Sequence, residues 1–435
     1  MKYFLFECKK MTKKRSVLIT IILSVVAMLG YYVFNYSVAD RFQKWRILDL
    51  ENSQIEYPKK IAEDQLELEE AEKAGDSARA LELQRTIGIY KNMLEEKRFD
   101  WENIHANNWA AIAQKQYEYL DKTVAISKSQ NSPSAYWLDH QPISLFTVRA
   151  SAEEHRLLAE TGVKPLVQAN TFLYYHPTAY DKFTGEALEF WEESTKRYGM
   201  QGFHFLYQII PSFVIPFVIL IGCFVFGNNI SAEATKKRKG LNLYAVLPLK
   251  RHSLFLAKFC SGLLFTILFV FFIFCLPLFA SLVTTGLGSL QIPVLMYDGP
   301  AESLLGMLKS TILNEWTDEF HFITLGKYLG IVLVLTFALI FLMFSVYFLL
   351  SLFFKNPSVN AAILLIGTFF GMTVLPKSPF NPFTYVDLHK VINGEFAVFH
   401  FNEAINVTNG LILLCTVGLL VTVLCYLRFR RYVVE

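Results

Sequence analysis

The sequence predicts an all-α polytopic membrane protein with six transmembrane helices. A large, mainly helical extracellular insert, built as a helical hairpin or short coiled coil, is expected between the first and second spans. Three observations lead there. The 435 residues are 53% hydrophobic with a mean hydropathy of +0.33, too apolar for an ordinary soluble chain. The charged residues, 18% of the total, are gathered into one long polar region and several short basic runs. Between these lie apolar runs of roughly 20 residues, the length a helix needs to cross a hydrocarbon core. The net charge of +3 is small, and the basic residues sit beside apolar runs. That placement suits lipid headgroups and membrane topology rather than a nucleic-acid partner.

Residues 1–16 mix Tyr3, Phe4, Leu5 and Phe6 with Lys9, Lys10, Lys13, Lys14 and Arg15. The pattern predicts a cytoplasmic interfacial helix. Residues 17–37 form the first span; Ser37-Val38-Ala39 resembles a signal-peptidase site, but the apolar run is longer than a usual signal core. The extracellular insert is set at 38–204. Lys59 to Lys73 and Ser77 to Lys122 are rich in Glu, Lys, Ala, Leu and Gln, with Ala74-Gly75-Asp76 as the break between two arms. In the second arm Ile87, Tyr90, Leu94, Trp101, Ile104 and Ala111 recur at three- and four-residue steps. An unbroken second arm would extend about 69 Å, so a bend or break is expected within it. The aromatic run at 172–177 is assigned to a small core against the hairpin, and His105, His140, His155 and His176 lack metal-ligand spacing.

The second span is expected at 205–227, kinked at Pro211 and Pro216. A cytoplasmic segment at 228–258 leads to the third span at 259–283 and an outer loop at 284–326. The fourth span is placed at 327–354, the fifth at 358–376 and the sixth at 408–427. Residues 377–407 are read as short interfacial helices on the outside, and 428–435 as a cytoplasmic tail carrying Arg428, Arg430 and Arg431. The spans are almost free of ionisable side chains, which argues against a proton relay and for an apolar or amphipathic substrate. All six cysteines lie in or beside apolar runs, with no CxxC or Cys/His pattern for a metal.

The densest basic cluster falls in segment 228–258: Lys236, Lys237, Arg238 and Lys239, then Lys250, Arg251 and Lys258. Leu241, Leu243, Val246 and Leu247 add an apolar side, as in a short amphipathic helix stopped near Pro248. Taken alone, the charge favours a solvated loop that only fixes orientation. The order of features, with Glu233 before the basic run, Leu-Pro after it and Ala-Lys opening the next span, resembles ABC-2-type transporter permeases. The resemblance covers nearly the whole membrane part and leaves out the insert.

That resemblance implies one permease of an exporter in a bacterial plasma membrane, with both termini cytoplasmic. Its partners would be two copies of an ABC ATP-binding subunit and a second permease, identical or paralogous. ATP and magnesium would be bound by the partner subunit, since this chain has no nucleotide-binding motif and no cofactor of its own; Gly306 to Thr311 lacks the Gly-Lys pair of a phosphate loop. Carried over residue by residue, the ATPase-coupling positions are Glu233, Lys236, Lys237, Arg238, Lys239, Leu241, Leu243, Tyr244 and Leu247. A peptide or another amphipathic or hydrophobic molecule is the expected cargo. Two other classes stay open: a mechanotransmitting ABC permease acting on surface partners, whose external helical hairpin fits but whose family has four spans against the six counted here, and a non-transporting sensor or immunity protein that binds a peptide outside and needs no ATPase partner.

Overall fold

The computed structural model describes residues 2–128, 142–169, 174–228, 251–300 and 313–431. Helices dominate, and the chain folds as two compact units. One contains residues 1–34, 201–290 and 294–435; the other contains 35–200 and 291–293.

The first unit is the apolar one. It opens with α1 (Lys2–Thr12) and the start of α2 (Arg15–Ala74). It continues through α7 (Gly202–Ile209), α8 (Val214–Phe226), α9 (Arg251–Thr284), α10 (Leu325–Phe353), α11 (Pro357–Thr373) and α14 (Val407–Arg430). Among the described residues four helices, α2, α9, α10 and α14, are long and apolar enough to cross a membrane. The expected second span is instead two helices meeting at 86°, and counting the pair as one broken span brings the number to five. Pro211 sits at the break and has no N–H to continue the helix. Ser212 restores part of the loss, its hydroxyl donating to the Ile209 carbonyl at 2.5 Å. The expected fifth span, α11, has only 17 residues, about 25 Å at 1.5 Å per residue against a core of about 30 Å. Asn356 caps its start and Pro357 occupies its first turn.

Glycines let these helices approach closely. At Gly262 in α9, an added Cβ would lie 2.7 Å from the Phe344 ring of α10 and 2.9 Å from the Phe226 carbonyl oxygen. Thr266, one turn on, donates to the carbonyls of Gly262 at 2.9 Å and Gly222 at 3.4 Å. Small residues at a helix crossing permit this backbone proximity. Between α9 and α10 the chain forms two strands of a small sheet, β3 (Pro293–Gly299) and β4 (Glu319–Thr324), a departure from the purely helical reading. The stretch before α14 holds a 3-10 turn at Pro382–Val386 and the short helices α12 (Leu388–Ile392) and α13 (Glu395–Phe399), as its composition predicts.

The second unit is built on the hairpin. Its first arm is the remainder of α2, which runs through Pro58 without a break, so the expected first span and first arm belong to one 60-residue helix. Gly75 turns the chain at φ +73. Asp76 caps α3 (Ser77–His105) by accepting from the Arg79 amide. The arms run antiparallel: Ala71 packs with Ala80 and Leu83 near the turn, Tyr57 meets Tyr90 midway, and Leu50 packs with Ile104 at the far end. The anticipated break falls at 106–108, where Asn107 takes φ +53, a conformation asparagine tolerates. Next, α4 (Trp109–Lys128) packs along α5 (Leu145–Thr161), burying Leu120, Val124, Leu145, Val148 and Ala152 against Tyr175. Tyr175, from the described part of the aromatic run, therefore joins a core between α4 and α5.

Two strand fragments, β1 (Val167–Gln168) and β2 (Arg197–Tyr198), pair antiparallel on either side of α6 (Glu186–Thr195), with Gln168 opposite Arg197. This pairing fixes Arg197 beside Glu154 of α5. Its guanidinium grips the carboxylate with two bonds of 2.6 and 2.8 Å, and His176 Nδ1 lies 3.2 Å from the same carboxylate. Burial pushes the Glu154 carboxyl up, but Arg197 and His176 outweigh it and hold it well below the usual carboxylate range.

Replacing Glu154 with Leu is expected to lower the thermal midpoint sharply, because it strands a largely buried guanidinium at a cost of about 3–5 kcal/mol. The lowered carboxyl also sets a pH dependence. Its stabilisation is present above the usual unfolded carboxylate range and is lost as the pH falls through the lower folded value. Circular dichroism during acid titration should therefore show a later loss of structure in Glu154→Gln than its neutral-pH stability alone would give.

Candidate functional site

The nine predicted coupling residues, Glu233, Lys236, Lys237, Arg238, Lys239, Leu241, Leu243, Tyr244 and Leu247, lie outside the described residues. What the structure does describe is the chain on either side of them, the last turn of α8 before and the first turns of α9 after, and the helices packed on α9.

Aromatic packing assembles one end of the first unit. Phe255 of α9 meets Phe348 of α10 edge-on at 5.8 Å and Tyr426 of α14 at 5.4 Å. Phe259, one turn along, touches Phe344 and Phe348 at 5.3 Å each. The Arg251 side chain donates to the Arg430 carbonyl, tying the first turn of α9 to the last turn of α14. Basic residues Arg251, Arg428 and Arg430 thus share this end, where a cation also complements the unpaired carbonyls of the α14 terminus.

The amphipathic α1 packs on α9 at the same end. Its Glu7 is 2% exposed, and Lys258 of α9 is fully buried; their charged groups meet at 3.0 Å. Sequence reading places Lys258 in the basic cytoplasmic segment just before the third span. In the structure it is inside α9, two turns from its start, and turned inward. The signal that could have found the pair was a lone Glu in the otherwise basic and aromatic stretch 1–16. A buried pair of this kind gains little net stability over an apolar contact, but losing either partner removes the nearest counter-charge from a buried group, with Lys10 farther from Glu7 at 3.9 Å. Its effect is therefore to hold α1 in one register against α9.

A second feature lies farther along α9. A cavity of about 250 Å³ opens where α7 and α8 diverge, walled by Phe203, Ile215, Val270, Phe274, Val332 and Thr336 among others. The wall is almost entirely carbon. The Thr336 hydroxyl is buried with no hydrogen-bond partner among the described residues. The 86° turn of the chain keeps α8 from covering this space along its full length. It can admit an apolar chain, and its wall offers no charge to hold an ion. Among the described residues no group of three or more His, Cys, Asp or Glu is placed to hold a metal.

No family model, curated protein or solved structure matches the chain.

The register role of the ion pair is testable by a double-mutant cycle. Lys258→Met alone should destabilise the purified protein, by at most about 3–5 kcal/mol, because it removes the nearer cation from a buried carboxylate and leaves Lys10 at 3.9 Å. Adding Glu7→Leu should recover most of that loss. Thermal unfolding in detergent measures both, and equal effects of the single and double variants would remove the register role.

Proposed function

We propose that the chain is the transmembrane permease subunit of an ATP-driven exporter of the ABC-2 type. It would work with a separate ATP-binding subunit, present in two copies, and a second permease. In this reading it has six spans in a bacterial plasma membrane, with both termini and segment 228–258 cytoplasmic and the insert 38–204 outside. The cargo is a peptide or another amphipathic or hydrophobic molecule. ATP and magnesium belong to the motor subunit.

The observation that carries the proposal is the Glu7–Lys258 pair. It ties the amphipathic N-terminal helix to the base of α9, directly after the basic stretch that resembles a coupling helix. A force applied to residues 229–250 acts on α8 at one side and on α9 at the other. Through Glu7 it also carries α1, while Phe255 and Phe259 pass it to α10 and α14. Such a force would tilt α8 and α9 around the apolar cavity that lies between the broken pair and α10. A carbon-lined cavity supports an apolar or amphipathic cargo and gives an ion no coordination.

The test is whether the chain co-purifies with an ABC ATP-binding subunit from its own cell, followed by measurement of ATP turnover. Exchanging Glu233 for Ala together with Lys236, Lys237, Arg238 and Lys239 for Gln should abolish complex formation or permease-dependent stimulation of ATP hydrolysis. Unchanged assembly and stimulation would end the coupling assignment.

A further inference from the structure

The unit formed by residues 35–200 and 291–293 has a cavity of its own, of about 80 Å³. Most of its wall is apolar: Phe42 and Ile47 from α2, Ile104 from α3, Trp109 from α4 and Leu158 from α5. Among the described residues three cations reach it, Arg46, Lys164 and Arg197, against a single carboxylate, Glu154. That carboxylate is already engaged by Arg197 and His176.

Arg46 and Lys164 are left with no carboxylate partner among the described residues. Arg46 donates to the Tyr174 hydroxyl at 3.1 Å and lies over that ring at 5.7 Å. Lys164 reaches Gln43 Oε1 at 3.4 Å and lies over the Trp109 ring at 5.2 Å. Burial, and then repulsion from Arg46, hold the Lys164 amine below the usual lysine range. Of the acids that act on Tyr174, Asp100 pairs with Lys115 at 3.4 Å, and Glu96 is the other. Two cations beside carbon walls, supported only by neutral groups and aromatic faces, form a site that an anion would relieve.

The wall narrows the choice of anion. A free inorganic anion would leave the apolar surface unused, whereas a carboxylate carried on hydrocarbon uses both. His155 adds a further preference. Its Nε2 donates to the Tyr174 carbonyl at 3.1 Å, and its buried Nδ1 has no partner among the described residues. With Nε2 protonated and the ring neutral, Nδ1 is an acceptor, suited to an N–H on the ligand.

We propose that this cavity binds a carboxylate attached to a short apolar group, the chemistry shared by the C-terminal residue of a peptide and a free branched-chain acid, with Lys164 and Arg46 holding the carboxylate. The proposal names a ligand class for the export reading and rests on that reading only for what becomes of the ligand. Binding itself needs no motor.

The full-length protein in mild detergent is titrated calorimetrically with N-acetyl-leucine, 4-methylpentanoate, N-acetyl-leucinamide and inorganic phosphate. Both carboxylates are expected to bind, and the amide to bind at least about tenfold more weakly, as for loss of one charge-assisted contact. Lys164→Gln should weaken carboxylate binding by about tenfold, and Lys164→Arg should restore it. Tighter binding of N-acetyl-leucine identifies the peptide terminus; equal or tighter binding of 4-methylpentanoate identifies the free acid, and either outcome supports the site. Equal binding of the amide, unchanged binding in both Lys164→Gln and Arg46→Gln, or phosphate binding tighter than either carboxylate would overturn it. Failure here leaves the motor reading intact, because that reading is measured by complex assembly and ATP turnover.

Discussion

In hydrocarbon, every backbone N–H and C=O must find its partner inside the protein, and that constraint shapes the apolar unit. Continuous helices meet it along α2, α9, α10 and α14. The break between α7 and α8 is the exception, and it is tolerated because Pro211 has no N–H to orphan and Ser212 caps the Ile209 carbonyl. The consequence reaches beyond the break itself. A chain that turns by 86° cannot lie flat against α9 and α10 over its whole course, and the carbon-lined cavity is the space it leaves. Elsewhere the packing is tight. Gly262 under Phe344 and Gly410 under Tyr385 leave no room for a methyl group.

The basic end of this unit uses a different kind of interaction. Dispersion among Phe255, Phe259, Phe344 and Phe348 supplies most of its cohesion, since each ring contributes large apolar area. The Glu7–Lys258 pair contributes specificity instead. Apolar contacts alone would let an amphipathic helix slide or roll on α9, whereas a buried charge tolerates only the position in which it is neutralised. In the proposed exporter this distinction matters, because motion can pass only through contacts that do not slip.

The second unit repeats the arrangement with other residues. Exposed pairs on the hairpin, such as Arg79 with Glu67 and Glu82, add little to stability. The buried Arg197–Glu154 pair locks the β1–β2 fragment onto α5. By occupying the one carboxylate that lines the cavity among the described residues, it also leaves Arg46 and Lys164 without an acidic partner there. A structural contact thereby sets the balance of charge around the cavity.

Local composition and periodicity were enough to determine that this is a helical membrane protein, where the hairpin turns, and that the second arm breaks. Those features depend on residues close together in the chain: Gly75 at the turn, the step of three and four in the second arm, and the apolar runs themselves. The continuity of α2 was not legible, because Ser37 to Tyr57 is polar enough to read as the end of a span. The severity of the bend at Pro211 was not legible either, since a proline in a span can kink it slightly or break it, and neighbouring helices decide which. The predicted coupling residues are a reading of sequence order alone. Tertiary structure decided the rest, above all that Glu7 and Lys258, 251 residues apart, neutralise each other, and that Arg46 and Lys164 do not have a carboxylate between them among the described residues. Pairings of that kind follow from burial and the low polarity around each charge, and no local pattern in the chain records either.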